Sequence, residues 1–145
     1  MDNGTWAYPR EEISFVIKDD SNIVGCCVLK KINWDAGEAE ISYWIGSEFW
    51  NRGIGVEAAR LTRNVAFEVY NFKFLHAHYL KLTNPASGKI LEKLGFEPDA
   101  EKQDFKVAGR YKDAAPDDVW TFYKLKRETW ETLKEPKGCS ITSML

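Results

Sequence analysis

The stretch "EAEISYWIGSEFWNRGIGVEAAR", residues 38–60, contains a change of period that decides how the chain folds. Up to Ile45 the apolar residues alternate, with Ile41, Tyr43 and Ile45 on one face and Glu38, Glu40, Ser42 and Trp44 on the other, which predicts a strand over 38–45. From about residue 54, Ala58, Leu61, Val65 and Val69 recur at helical spacing, and Glu57, Arg60, Asn64 and Glu68 mark the opposite, wet face. Between them stand Gly53 and Gly55, at the start of a helix that glycine weakens by roughly 1 kcal/mol relative to alanine.

Three readings of that glycine pair compete. The first is an ordinary strand-to-helix turn. The second is a dinucleotide fingerprint, since Gly53, Gly55 and Ala58 fit G-x-G-x-x-A. That motif follows its strand directly and needs an acidic residue at the end of the next strand. Here seven residues separate Ile45 from Gly53, and the next strand ends in "YLKLTN" with no acid, so the reading fails on both counts. In the third, Arg52, Gly53, Ile54, Gly55 and Val56 offer successive N–H groups at a helix N-terminus, a site suited to phosphate oxygens. The glycines then keep side chains out of a pyrophosphate's way.

The remaining elements follow outward from this stretch. "ISFVIKD" (13–19) and "NIVGCCVLKKI" (22–32) read as strands that form an antiparallel meander with 38–45. "FKFLHAHYL" (72–80) is a further strand. In "NPASGKILEKLGF" Asn84 is a natural N-cap, Pro85 takes the first helical position and Gly95 closes the helix, with Ile90, Leu91 and Leu94 as its buried stripe. A strand from Phe96 to about Val107, a loop "AGRYKDAAPDD", a strand "VWTFYKL" (119–125) and a short helix in "RETWETLK" complete the order. The fold class is α/β (α+β): a mixed, mostly antiparallel sheet with packed helices in the order β-β-β-α-β-α-β-β. The strand–helix–strand unit at 38–80 demands a parallel crossover.

A length of 145 residues suits one domain, and the net charge of -2 gives no electrostatic case for nucleic acid. No apolar run approaches the ~20 residues that span a bilayer, so no membrane association is expected. Neighbouring strand residues face opposite ways, so Cys26 and Cys27 read as separate free thiols, which predicts a reducing, cytoplasmic setting. The C-terminal Ser-Met-Leu loosely matches a peroxisomal signal, and "TSML" a PDZ ligand. No metal-ligand spacing exists, and His76 and His78 read as lone histidines, His78 more naturally a satisfied core residue than a catalyst.

"AEISYWIGSEFWNRGIGVEAAR", followed by "NPASGKILEKLGFE" and "GRYKD", resembles the GNAT superfamily of N-acetyltransferases, in particular its RimJ/RimL-type branch, over about residues 12–130. Trp50 stands where the superfamily's glycine motif usually carries Gln or Arg. The resemblance implies that the glycine loop binds the pyrophosphate of acetyl-CoA, the cosubstrate. It implies that backbone N–H groups of Tyr43, Trp44 and Ile45 polarise the thioester carbonyl, where the strand splays from its neighbour; the Tyr43 and Trp44 side chains are expected in the core. It makes Glu40 a general base, directly or through water, with Glu38 not separable from it, and puts Asn84 against the pantetheine arm. Ser87 is the implied donor to the departing thiolate, with Tyr111 of "GRYKD" as the rival acid.

The implied activity is direct acetyl transfer to a primary amine, on a protein N-terminus or a small molecule. The alternative is a catalytically inactive GNAT-like module that binds CoA or a protein. The expected organisation is a flexible segment 1–11, a GNAT domain over 12–134 and a disordered tail over 135–145. Superfamily members open with a strand and two helices, so the chain reads as N-terminally truncated, with a homodimer or a partner expected over the exposed sheet.

Overall fold

The computed structural model describes residues 10–106, 114–133 and 135. Strands β1 (Ile13–Asp19), β2 (Asn22–Asn33) and β3 (Glu38–Ile45) form the expected antiparallel meander. A 3-10 turn at Ser47–Phe49 leads into α1 (Ile54–Glu68), which crosses to β4 (Phe74–Leu80), parallel to β3. Next come α2 (Pro85–Lys93), the short strands β5 (Glu97–Pro98) and β6 (Phe105–Lys106), then β7 (Val119–Lys126) and α3 (Arg127–Glu131). The sheet runs β1-β2-β3-β4-β7-β5, with β6 also on β7.

The core lies between the inner face of the sheet and the helices, where Phe15, Leu29, Leu75 and Leu125 meet Ala59, Phe67 and Leu91. Cys26 and Cys27 are free thiols on opposite faces of β2, one half-buried and the other buried.

The structure corrects four expectations. The strand expected over 96–107 is two two-residue pieces, because Pro98 has no N–H to donate and Asp99 then builds a turn. The Asp99 carboxylate accepts from Glu101 N (3.0 Å) and its carbonyl from Lys102 N (3.1 Å). On α1 the wet face is not wet at Asn64, which is 0% exposed, while Val69, just past the helix, is 59% exposed. The C-terminal elements cover that side. Asn64 Oδ1 accepts from Trp130 Nε1 (2.8 Å), and the wholly buried Arg63 reaches Leu94 O (2.8 Å) and Glu135. Arg63, which neither sequence pattern assigned, joins α1, the end of α2 and the chain beyond α3. Finally, Trp44 is no core side chain: alternation turns it to the outer face with Glu40 and Ser42, where it is 65% exposed.

Candidate functional site

Strands β3 and β4 pair over only three residues each, Glu38–Phe74, Ala39–Leu75 and Glu40–His76. Beyond that point β3 pairs with β2 alone and β4 with β7 alone, so Ile41–Ile45 and Ala77–Leu80 face each other across a wedge. The splay expected between these strands is present. A cleft of about 250 Å³ fills the wedge and reaches Asn84 and Ser87 at the start of α2. A second hollow of about 270 Å³ opens on the outer face, lined by Lys31, Glu38, His76, Lys102 and Phe122. Glu40, Ala77 and His78 line both, at the apex where the strands part.

The glycine loop sits at the open end of the wedge. Gly53 (φ 76°) is the N-cap of α1 and offers no side chain to its first turn, so the Ile54, Gly55 and Val56 N–H groups have no partner within the helix. A Cβ at Gly53 would meet nothing within 4 Å; one at Gly55 would lie 3.7 Å from Ile45 and 3.9 Å from Ile90, in the gap between β3 and α2. Trp50 folds back so that its Nε1 donates to Ile45 O (2.8 Å), fixing the loop to the end of β3. That gives the residue in the Gln/Arg position a structural task. Arg52 is exposed beside the Phe49 ring, and the acid of the first turn, Glu57, is held by Arg60, whose hydrogen bond keeps its carboxyl below the usual range.

At the start of α2, Asn84 is the N-cap and Pro85 the first helical residue, as the sequence predicts, but the Asn84 side chain makes no cap bond. Its Nδ2 donates instead to Ser87 Oγ (2.9 Å), which leaves the Ser87 hydroxyl proton free to point elsewhere. Tyr43 reaches into the same space from β3. Its buried hydroxyl has no hydrogen-bond partner among the described residues, and burial pushes its pKa up, offset in part by nearby Ser87. Gly88 lets α2 approach β4 closely, since a Cβ there would fall 2.4 Å from the Tyr79 hydroxyl.

At the apex the structure separates the two glutamates. Glu38 pairs with His76 Nε2 at 2.6 Å, linking the first rung of the parallel ladder to the last. Glu40, its side chain 11% exposed, lies 3.6 Å from Lys30 and 3.3 Å from Lys31, and its Oε2 is 3.2 Å from His78 Nδ1. His78, set aside in the sequence, lines both hollows beside Glu40. Burial lowers its pKa, Glu40 raises it, and Lys31, Lys30 and Lys102 lower it further, so the surroundings favour the neutral ring. The signal available was alternation: Glu38 and Glu40 share a sheet face with His76 and His78 of the next parallel strand. Register, which no periodicity shows, was missing. Tyr111 lies outside the described residues. Among those described, no cluster of side chains suits a metal ion and no helix is long and apolar enough to cross a membrane.

The family model for an acetyltransferase (GNAT) domain matches residues 2–97. An uncharacterized N-acetyltransferase, p20, of Bacillus licheniformis is 30% identical over 116 residues, 79% of this chain and 62% of that protein. A putative ribosomal N-acetyltransferase, YdaF, of Bacillus subtilis is 30% identical over 112 residues, 77% of this chain and 58% of its own. This chain thus spans about 60% of the length of these relatives. Among solved structures, spermidine N-acetyltransferase from Vibrio cholerae in complex with CoA and spermine superposes with a TM-score of 0.70 at 17% identity, covering 84% of this chain and 69% of that one. The dodecameric form of the same enzyme gives 0.71 at 19% identity, over 86% and 70%. These structures share the fold, a mixed, mostly antiparallel sheet with few helices, which in this chain splits between β3 and β4. The matched family model, the glycine loop at the open end of that split and the two bacterial relatives agree, and the chain belongs to the GNAT acetyltransferase family, in its RimJ/RimL-like branch.

Proposed function

We propose that this chain is an acetyl-CoA-dependent N-acetyltransferase that moves the acetyl group directly to a primary amine, of a protein N-terminus or a small molecule. The observation that carries the reading is the wedge between β3 and β4, with the N-terminus of α1 beside Ile45 at one end and the half-buried Glu40 at the other.

In this reading the pyrophosphate of acetyl-CoA takes the N–H groups of Ile54, Gly55 and Val56, next to Gly53, with Arg52 adding charge. The pantetheine amides pair with the open backbone of β3 as an added strand would, and Asn84 contacts the arm from α2. Backbone N–H groups around Tyr43, Trp44 and Ile45 polarise the thioester carbonyl, a preorganised donor set that costs no reorganisation during the reaction.

The acceptor must lose a proton before it attacks. An alkylamine with a pKa near 10 is about one part in a thousand neutral at pH 7, a penalty of ~4 kcal/mol, whereas an N-terminal amine near 7.8 loses only about 1 kcal/mol. That proton leaves toward the apex, where Glu40 and His78 lie together. On the other side of the reacting carbon the thiol departs as an anion, and the Ser87 hydroxyl, already accepting from Asn84, has its own proton to donate to it. Tyr111 is the second candidate acid.

Mass spectrometry tests the reading. Purified protein is incubated with acetyl-CoA and a panel of spermidine, lysine and a peptide with a free N-terminus. An acetyl group on any of these is expected. CoA binding in a calorimeter without product from a wide panel would leave a CoA-binding module, and no binding at all would refute the cosubstrate assignment.

A further inference from the structure

We infer that His78 Nε2 is the atom that takes the acceptor's proton, and that Glu40 is a positioning residue that holds the imidazole in the required tautomer. This assignment rests on the transferase reading above and changes which residue at the apex does the chemistry.

Glu40 is poorly placed to act alone. Its Oε1 faces Lys31 at 3.3 Å, and its Oε2 faces both Lys30 at 3.6 Å and His78 Nδ1 at 3.2 Å. Both oxygens are thus committed to other groups. His78 has the reverse arrangement: Nδ1 faces a carboxylate and Nε2 has no partner among the described residues, while the ring lines both the wedge and the outer-face hollow. A carboxylate at one ring nitrogen favours the proton there and leaves a lone pair on the other, the logic by which a histidine serves as base in hydrolytic triads. From β7, Trp120 stands edge-on to the ring at 5.1 Å and Phe122 lies at 5.6 Å, so the ring is held on that side by aromatic contacts.

The charged groups facing His78 are Glu40 from β3, Lys30 and Lys31 from β2, and Lys102 from the turn after β5. Burial and the three lysines hold its pKa below 6.5 against the carboxylate, so the base is ready at neutral pH. An ammonium acceptor gives one proton to Nε2. The neutral amine's lone pair then forms the C–N bond to the acetyl carbon as the C–S bond breaks. The second nitrogen proton passes to the thiolate, and the imidazolium returns its proton to water.

The chain has two histidines, so nitrogen NMR on histidine-labelled protein, with His76→Gln to assign the signals, reads the tautomer directly. The proton is expected on Nδ1 at pH 7.5, with Nε2 bare, and Glu40→Gln should lower the midpoint of the His78 titration. In turnover with acetyl-CoA and the amine panel, His78→Gln should lower kcat by about 10²–10⁴. Glu40→Gln should cost less and shift the acidic limb of the kcat profile to lower pH. A proton on Nε2, a His78→Gln enzyme within about twofold of the parent, or an acidic limb that Glu40→Gln leaves in place would overturn the assignment. If the parent acetylates nothing, the transferase reading falls, and the tautomer measurement still decides whether His78 is built as a base.

Discussion

Two neighbouring glycines should respond in opposite directions to the same substitution. Gly53 has φ 76°, so alanine there must occupy the left-handed region, at a cost of about 1–2 kcal/mol, even though nothing lies within 4 Å of its Cβ. Gly55 has an ordinary helical backbone, and its Cβ would make normal contacts, 3.7 Å to Ile45 and 3.9 Å to Ile90. Alanine at that position in the first turn of α1 should therefore stabilise the free protein by about 0.5–1 kcal/mol through helix propensity. For a chain of this size that is a rise of roughly 2–4 °C in Tm, against a fall of similar or larger size for Gly53→Ala. Yet the Gly55 methyl would enter the gap between β3 and α2 that the cosubstrate is proposed to thread. Calorimetry with CoA should show Gly55→Ala weakened by tenfold or more in the protein that melts higher, equivalent to at least about 1.4 kcal/mol. A Gly55→Ala variant that melts lower, or that melts higher and binds CoA as well as the parent, would refute the reasoning.

Replacing Arg63 by methionine should destabilise the fold by about 3–5 kcal/mol in urea titration, because it strips a buried partner from Leu94 O, Asn64 and Glu135. Glu135→Gln, at a quarter-exposed group, should cost much less. Asp118, 2% exposed, has a pKa that burial raises but that hydrogen bonds from the Thr83 hydroxyl and the Leu82, Thr83 and Val119 N–H groups bring below its ordinary value. A lowered folded pKa contributes stability above the unfolded value, near 3.9, and that contribution is lost as pH falls through the folded one. Urea midpoints should thus drop below about pH 4, and Asp118→Asn should flatten that drop while lowering stability at pH 7. Of the adjacent cysteines, Cys26 should react with iodoacetamide in the native protein at pH 8. Cys27, buried with its thiol pushed up to about 11, should react only on unfolding, and peptide mapping reads both.

Much of the sheet was legible because its strands carry their own periodicity. Ile13–Asp19 and Glu38–Ile45 coincide with the expected bounds, and the change from alternation to helical spacing after Gly53 required the parallel crossover to β4. What escaped depends on packing between distant segments. Asn64 reads as a solvent residue until Trp130, 66 positions later, folds onto it. Asp99 breaks a strand only once its carboxylate finds the amide of Glu101. The pairing of His78 with Glu40 needed the register of two strands joined by a whole helix, and no local pattern encodes that.

The three-rung junction of β3 with β4 also divides the sheet mechanically. On one side lie β1, β2 and β3; on the other β4, β7 and the short strands, joined among the described residues by the rungs at 38–40 and 74–76 and by the Gly37 carbonyl, which accepts from Lys73 N and Phe74 N. Any ligand lying in the wedge supplies rungs that the protein lacks, so it acts as a clamp between two half-sheets. Amide hydrogens of Ile41–Ile45 that turn away from β2 should then exchange fast in the free protein and slow sharply when CoA is added. Slowing should extend to β4, the other edge that the clamp holds, because closing the gap couples the opening of one half to that of the other.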